Sequence, residues 1–395
     1  MREKHFRMKQ KHFFIIFLSF LINSNFLFSQ STLNVLWDKD EDKPIAYATI
    51  KGIKNYSVSN EKGVFELEKM DGKITIQSVV YETLEIDYNF LKTKDTIYMQ
   101  PLTYELDEVL ISKESLYTQM LKTVLTDYTL EPHKEEFFLR AVIRKDSEIY
   151  KIIDFSGLVE KQTLFETKTK PMPKRNYKIQ IDNIRKVGLD DRDIDILMFS
   201  FKDFFTYLIR LSFNKDDFDI TYESTTNNDS KRITLEPKDK EKTKFKGYFL
   251  LNRDNTFREA DITYLNNNSN YQSKRDIKYR TKQMNWKSNF ERNTNTGKLQ
   301  LHKGKIIAEL ELIRNDTTEI YEFTYIYNSK PLDKNIAIKN NINLKKDMFK
   351  LKSDYNQKYW ENHEILTLTN EMQEFINRVN TMGKNSDFKT KTNMN

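Results

Sequence analysis

The chain has 395 residues, no cysteine, and 31% charged against 38% hydrophobic residues, which excludes a disulfide-stapled or intrinsically disordered protein and allows about two or three domains. Its formal charge of +7 overstates its basicity: Arg2, Lys4, Arg7, Lys9 and Lys11 against Glu3 supply a net +4 before residue 30. The remaining lysines are interspersed with acids rather than gathered in a stripe, so no nucleic-acid partner is expected. Arg2 to Lys11 form a basic segment, Phe13 to Ile22 an apolar one, and Asn23-Ser24-Asn25 a polar break. That layout predicts a secretory signal peptide over residues 1–29, cleaved after Ser29. An uncleaved anchor is the weaker alternative, because residues 13–28 barely reach across a bilayer and Asn23 and Asn25 interrupt them. No cysteine follows to carry a lipid, and no later run is long and apolar enough for a membrane helix, so no transmembrane span is expected after cleavage. The expected location is periplasmic or outer-membrane-associated.

From Leu33 to Ile111 the apolar residues alternate with period two, and turn signals recur every eight to twelve residues or so. Leu33 to Trp37 reads as a strand, Asp38 to Lys43 as a charged hairpin loop, and Pro44 to Ile50 as the returning strand with proline at its first position. Ser59-Asn60-Glu61-Lys62-Gly63 is a turn whose glycine supplies the positive φ. Further strands are expected at Val64–Leu67, Ile74–Tyr81, Glu82–Tyr88 and Asp95–Met99. Short strands at this spacing predict a small antiparallel β-sandwich over residues 30–111. Pro44-Ile45-Ala46-Tyr47-Ala48-Thr49-Ile50-Lys51-Gly52, the turn before Phe65-Glu66-Leu67, Gln77-Ser78-Val79-Val80-Tyr81 and the closing Leu106-Asp107-Glu108-Val109-Leu110-Ile111 together resemble the carboxypeptidase regulatory-like domain. That family is a transthyretin-like sandwich common in envelope proteins of Bacteroidetes. Val80 stands where the family usually has glycine, and the first strand lacks its glycine near Val35. The resemblance covers roughly a fifth of the chain and implies an envelope adaptor.

Residues 112–131 predict a linking amphipathic helix. Ser115 is placed to cap it, and Leu116, Met120, Val124 and Tyr128 repeat at i, i+4, i+8 and i+12 before Pro132. Residues 132–382 read as a β-rich domain. Strands are expected at Phe137–Arg144, Glu148–Phe155, Leu158–Glu166, Phe218–Glu223, Arg232–Glu236, Phe245–Asn252, Arg258–Leu265, Ile277–Trp286, Lys298–His302, Ile306–Arg314 and Glu319–Tyr327. The stripe Tyr321, Phe323, Tyr325 and Tyr327 marks one buried face. Ile196 to Phe213 reads as an apolar core helix, and Asn370 to Val379 as a final helix with a Met372, Phe375, Ile376 and Val379 stripe. Residues 383–395 are a polar tail expected to be disordered. The fold class is therefore mainly β with a few helices: a small antiparallel β-sandwich, then a larger curved antiparallel sheet, half-barrel-like, packed on helices. The region also resembles the uncharacterised half that follows regulatory-like domains in such proteins, through Phe137-Phe138-Leu139-Arg140, Lys246 to Asn252 and Tyr359 to Ile365. In outline it is similar to periplasmic half-barrels that hold lipoprotein acyl chains, a topological likeness that carries no function.

Chemistry-bearing patterns are sparse. His133-Lys134-Glu135-Glu136 has the H-x-x-E spacing of a zinc carboxypeptidase. A third ligand would have to be His302 or His363, and the motif is expected in a loop entering antiparallel strands, so zinc catalysis is disfavoured. Asp38/Asp40/Asp42 and Asp191/Asp193/Asp195 have D-x-D-x-D spacing. Both lack the following glycine and the later bidentate acid of a calcium loop, and read as solvated turns. Trp37, Trp286 and Trp360 could stack on sugars, but isolated tryptophans in strands are more often core residues. No nucleophile elbow, phosphate loop or thiol is present. No catalytic, cofactor-binding or metal residue is assigned, and no cofactor is expected. The expectation is a non-enzymatic exported envelope protein that binds a protein, lipid or glycan, with an apolar or polymeric ligand in the larger domain. The alternatives are a component of TonB-dependent outer-membrane transport, for which the chain after Ile111 is short of a plug and a barrel of about 22 strands, and the disfavoured zinc peptidase.

Overall fold

The computed structural model describes residues 32–52, 56–67, 72–106, 115–165, 171–188, 199–225, 230–266, 270–274, 277–332, 335–352, 355–363, 365–382 and 393–394. The expectations for residues 1–29, for Asp191/Asp193/Asp195 and for most of the tail lie outside these residues. The chain divides into two compact units: residues up to Pro101 together with Ile365–Thr369, and the remainder. Residues 365–369, expected in the second domain, thus return to the first unit, and the division falls before residue 111.

The first unit holds β1 (Thr32–Asp38), β2 (Lys43–Pro44), β3 (Thr49–Lys51), β4 (Tyr56–Val58), β5 (Val64–Leu67), β6 (Lys73–Gln77), β7 (Leu84–Asp87), α1 (Tyr88–Leu91) and β8 (Thr96–Met99). One sheet is β2-β1-β5 with β8 on the other side of β1, and the second is β4-β3-β6-β7. Leu36, Phe65 and Ile97 of the first sheet share one core with Ile50, Ile74 and Ile76 of the second. The strand expected over Pro44–Ile50 is broken, because Tyr47 takes φ +60° and the chain crosses between sheets there. The crossing is held by Ser59, whose hydroxyl accepts from the Ala48 amide at 2.9 Å and donates to the Ile45 carbonyl at 2.8 Å. A Cβ at Gly63 would lie 2.4 Å from the Leu36 carbonyl oxygen, and φ there is +74°, so this turn requires glycine. β8 runs parallel to β1, a departure from a purely antiparallel sandwich.

The second unit holds β9 (Tyr104–Leu106), α2 (Leu116–Asp127), β10 (His133–Lys145), β11 (Glu148–Lys161), β12 (Tyr177–Gly188), α3 (Phe201–Leu208), β13 (Phe218–Thr225), β14 (Ser230–Pro237), β15 (Phe245–Asn252), β16 (Phe257–Leu265), β17 (Gln272–Lys274), β18 (Ile277–Arg292), β19 (Leu299–Arg314), β20 (Thr317–Pro331), α4 (Gln357–His363) and α5 (Asn370–Met382). Its strands form one twelve-stranded antiparallel sheet in the order β12-β11-β10-β20-β19-β18-β16-β15-β14-β13-β9, with β17 beside β18. The sheet is open: β12 and β9 end it without pairing to each other. Leu106, expected in the exit strand of the sandwich, instead pairs with Glu223 of β13.

α3 organises the inner face. Ser200 and Asp203 make a reciprocal capping box at its start. Its Phe201 ring packs on Phe137 of β10 and Phe155 of β11, Phe205 on Tyr177 of β12 and Tyr327 of β20, and Tyr207 on Trp286 of β18. Gly304 on β19 makes room for it, since a Cβ there would lie 2.3 Å from the Leu208 side chain. An eight-residue helix is about 12 Å long, whereas five strand spacings from β12 to β18 span about 24 Å in a flat sheet, so the sheet curls around α3. α5 lies over the opposite face, on β11 and β12. Covered on both sides, β10 reads Phe137-Phe138-Leu139-Arg140-Ala141-Val142-Ile143, a continuous buried run rather than an alternating one.

Candidate ligand-binding cavity

A cavity of about 560 Å³ opens between the flanks of α3 and the strands β15 to β20. Phe199, Tyr207, Phe245, Tyr264, Met284, Leu310 and Phe323 give it apolar walls, and Asp203, Arg210, Asn266, Asn270, Gln272, Arg280 and Glu309 add polar groups. Its size falls in the range of small-molecule sites, as does the mixture of aromatic walls and a few polar groups. The walls are rigid because they continue the core: Phe199 packs on Tyr325 at 5.3 Å between ring centroids, and Phe245 on Trp286 at 6.0 Å. A β-bulge between Thr281 and Gln283 lies in the β18 wall, where Tyr279, Arg280 and Thr281 all reach the cavity. Asn266 is fixed by donating to the Thr281 carbonyl at 2.9 Å and accepting from the Lys244 ammonium at 3.0 Å.

The charges of the lining are nearly all engaged. Glu309 pairs with Lys282 at 2.6 Å, Arg280 with Glu311 at 3.0 Å, and Asp203 accepts from the Ser200 hydroxyl at 2.7 Å. Arg210 differs. Its guanidinium lies 4.6 Å from the Phe245 ring centroid and 5.6 Å from that of Phe213, and among the described residues no carboxylate pairs with it.

Two ionic clusters are sealed inside the sheet, away from this cavity. On the inner face, Glu135 accepts from Lys161 at 2.7 Å and from the Tyr327 hydroxyl at 2.8 Å. Burial alone would push the Glu135 carboxyl up; Lys161 and His133 override it and hold it well below the usual carboxylate range. On the outer face, Asp154 receives Arg140 Nε at 2.8 Å and Arg185 Nε at 2.9 Å, and all three residues are buried. Burial opposes the Asp154 charge, but the two guanidiniums outweigh it and hold the carboxyl below its ordinary value. Arg140 also reaches Met372 Sδ at 3.8 Å, and the Trp360 ring stacks 5.0 Å from the Arg185 guanidinium, so α4 and α5 seal the triad.

The structure separates the residues of the H-x-x-E pattern. They begin β10 and are not a loop, so positions three apart point to opposite faces. His133 turns inward, with Nδ1 2.9 Å from the Glu131 carbonyl and Nε2 3.5 Å from Glu135, whereas Glu136 pairs outward with Lys330 at 2.9 Å. His302 lies against Glu291 at 3.5 Å instead, and the His363 side chain is outside the described residues. Among the described residues no three histidine or acidic side chains gather around a common point that could hold a metal ion. Asp38, Asp40 and Asp42 likewise diverge. Asp38 accepts from the Asp40 and Glu41 amides and the Tyr81 hydroxyl, Asp40 from Gln100, and Asp42 from the Trp37 indole. Trp286 is a core residue of β18, while Trp360 sits on helix α4 rather than a strand. The cavity residues carried no motif; of the helix, only Asp203 and Tyr207, at i and i+4 on one face of α3, reach the cavity, and Arg210 lies just past its end.

No family model and no curated protein matches the chain. Among solved structures, a Bacteroides ovatus protein of unknown function is similar at 9% identity, over 76% of this chain and 79% of that one, with a TM-score of 0.08. No described helix is long and apolar enough to cross a membrane.

Proposed function

We propose that the chain is a non-enzymatic, exported cell-envelope protein whose larger unit is a binding module for an apolar-bodied ligand, and whose smaller unit is a carboxypeptidase regulatory-like adaptor. The observation that carries the binding reading is the cavity beside α3, with aromatic walls continuous with a rigid core. Apart from Arg210, its charged groups are engaged in pairs or caps, which suits them to shape and recognition rather than to proton transfer. The two buried ionic clusters line no part of the cavity and act in packing. The basic, apolar and polar segments at the start of the chain support export.

The test is titration of the purified protein with N-phenyl-1-naphthylamine, a neutral apolar fluorophore. One saturable site is expected, lost when Ala308, a small residue of the β19 wall, is replaced in Ala308→Trp by an indole that fills the cavity, while the far-UV spectrum and melting temperature stay close to those of the parent. Absence of saturable binding, or undiminished binding by Ala308→Trp, refutes the reading. N-terminal sequencing of protein recovered from the periplasm tests the export claim, with Gln30 expected as the first residue.

A further inference from the structure

We infer that the ligand of this cavity is an amphiphile with a single anionic group, a carboxylate or a phosphate monoester, held by Arg210. The inference rests on the cavity being a binding site and names the chemistry it selects. The charges of the lining decide it. Arg280 and Glu309 are matched by Glu311 and Lys282, and Asp203 is committed to the N-terminus of α3 through Ser200. Arg210 alone of the charged lining groups faces the space with no carboxylate partner among the described residues.

Its setting prepares it for an anion. A guanidinium stacked on aromatic faces keeps its in-plane N–H donors free at the edge, in the fork geometry that matches carboxylate or phosphate oxygens. Phe213 and Phe245 supply those faces, so the head is held in place without being neutralised. Phe245 also lines the cavity, so an anion at the edge of Arg210 leaves its apolar body against Phe245 and the neighbouring Tyr264 ring, 5.3 Å away between centroids. Arg210 is itself exposed, which places the anionic group at the mouth and the apolar body inside.

Displacement of N-phenyl-1-naphthylamine by decanoate, decyl phosphate and decanol at neutral pH tests this directly. Both anionic amphiphiles are expected to displace the fluorophore at concentrations at least five-fold lower than decanol does. In Arg210→Met, which keeps an apolar stem over the rings, the gap should shrink below two-fold with decanol unchanged; Arg210→Lys should retain part of it. Raising salt from about 0.05 to about 0.5 M should narrow the parent's gap, because the group sits at the mouth. Equal displacement by the three compounds, or a gap that survives in Arg210→Met, overturns the anion assignment while leaving the cavity as a site. Failure of the fluorophore to bind at all overturns both.

Discussion

Replacing Asp154 by asparagine keeps the shape of the side chain and removes the carboxylate that bridges Arg140 and Arg185. Arg140 is fully buried and Arg185 5% exposed, so neither guanidinium can recover water when its partner is neutralised. The carboxylate accepts from Nε of both arginines, at 2.8 and 2.9 Å, and from Arg140 Nη2 at 3.1 Å. Breaking a buried ion pair from one side costs about 3–5 kcal/mol, most of it the penalty of the stranded charge. Here two like charges lose the same bridging carboxylate, which places the variant toward the upper end. For a unit of this size a loss of that order lowers the melting temperature by about 10 °C. Urea unfolding followed by tryptophan fluorescence in a Trp37→Phe background reads the larger unit, because Trp286 and Trp360 both lie in it. A companion variant, Arg140→Met with Asp154→Leu and Arg185→Met, should recover most of the loss, since apolar replacement of a whole buried triad is often neutral or stabilising. A loss below about 1 kcal/mol in Asp154→Asn would show that the triad is solvated, and would refute the reasoning.

Two further outcomes follow from the same physical chemistry. Asp154 and Glu135 both have folded pKa values below their unfolded values, so the unfolded chain binds more protons in acid and their contribution is present above about pH 4. The urea midpoint of the larger unit should therefore hold from about pH 8 to about pH 5 and fall below about pH 4, with a shallower fall in Asp154→Asn. Ser59→Ala leaves the Ala48 amide without its acceptor at the crossing between the two small sheets, and should destabilise the first unit by about 1–3 kcal/mol, read as faster hydrogen exchange at Ala48.

Local pattern exposed much of this fold and little of its site. The Tyr321, Phe323, Tyr325 and Tyr327 stripe lies buried on β20, the strand expected over Phe245–Asn252 matches β15, and Ser115 caps α2 by accepting from the Thr118 amide. β12 went unread although Tyr177, Ile179 and Ile181 alternate with Lys178, Gln180 and Asp182, because interleaved polar residues on an edge strand look like loop. Its outer edge is finished by asparagine side chains that imitate a neighbouring strand. Asn341 exchanges hydrogen bonds with both backbone groups of Ile181, and Asn393 accepts from the Lys186 amide and donates to the Ile184 carbonyl. His133 to Glu136 read as a loop because four consecutive polar residues hide a strand whose inward Glu135 is buried and paired with Lys161.

Composition and periodicity by themselves determined that this chain is mainly β, in a small and a large part, with an apolar helix at the heart of the larger one. They did so because burial of alternate residues is a local constraint written into neighbouring positions. Tertiary structure alone decided which charges are stranded and which are matched. Arg140 meets Asp154 across two strands through the register of β10 and β11, and the loop after α3 sets Arg210 against Phe245 with no carboxylate partner among the described residues. A one-residue slip in that register would turn Phe245, Tyr264 and Phe323 away from α3, so the cavity walls exist only once the strands have paired in their native register.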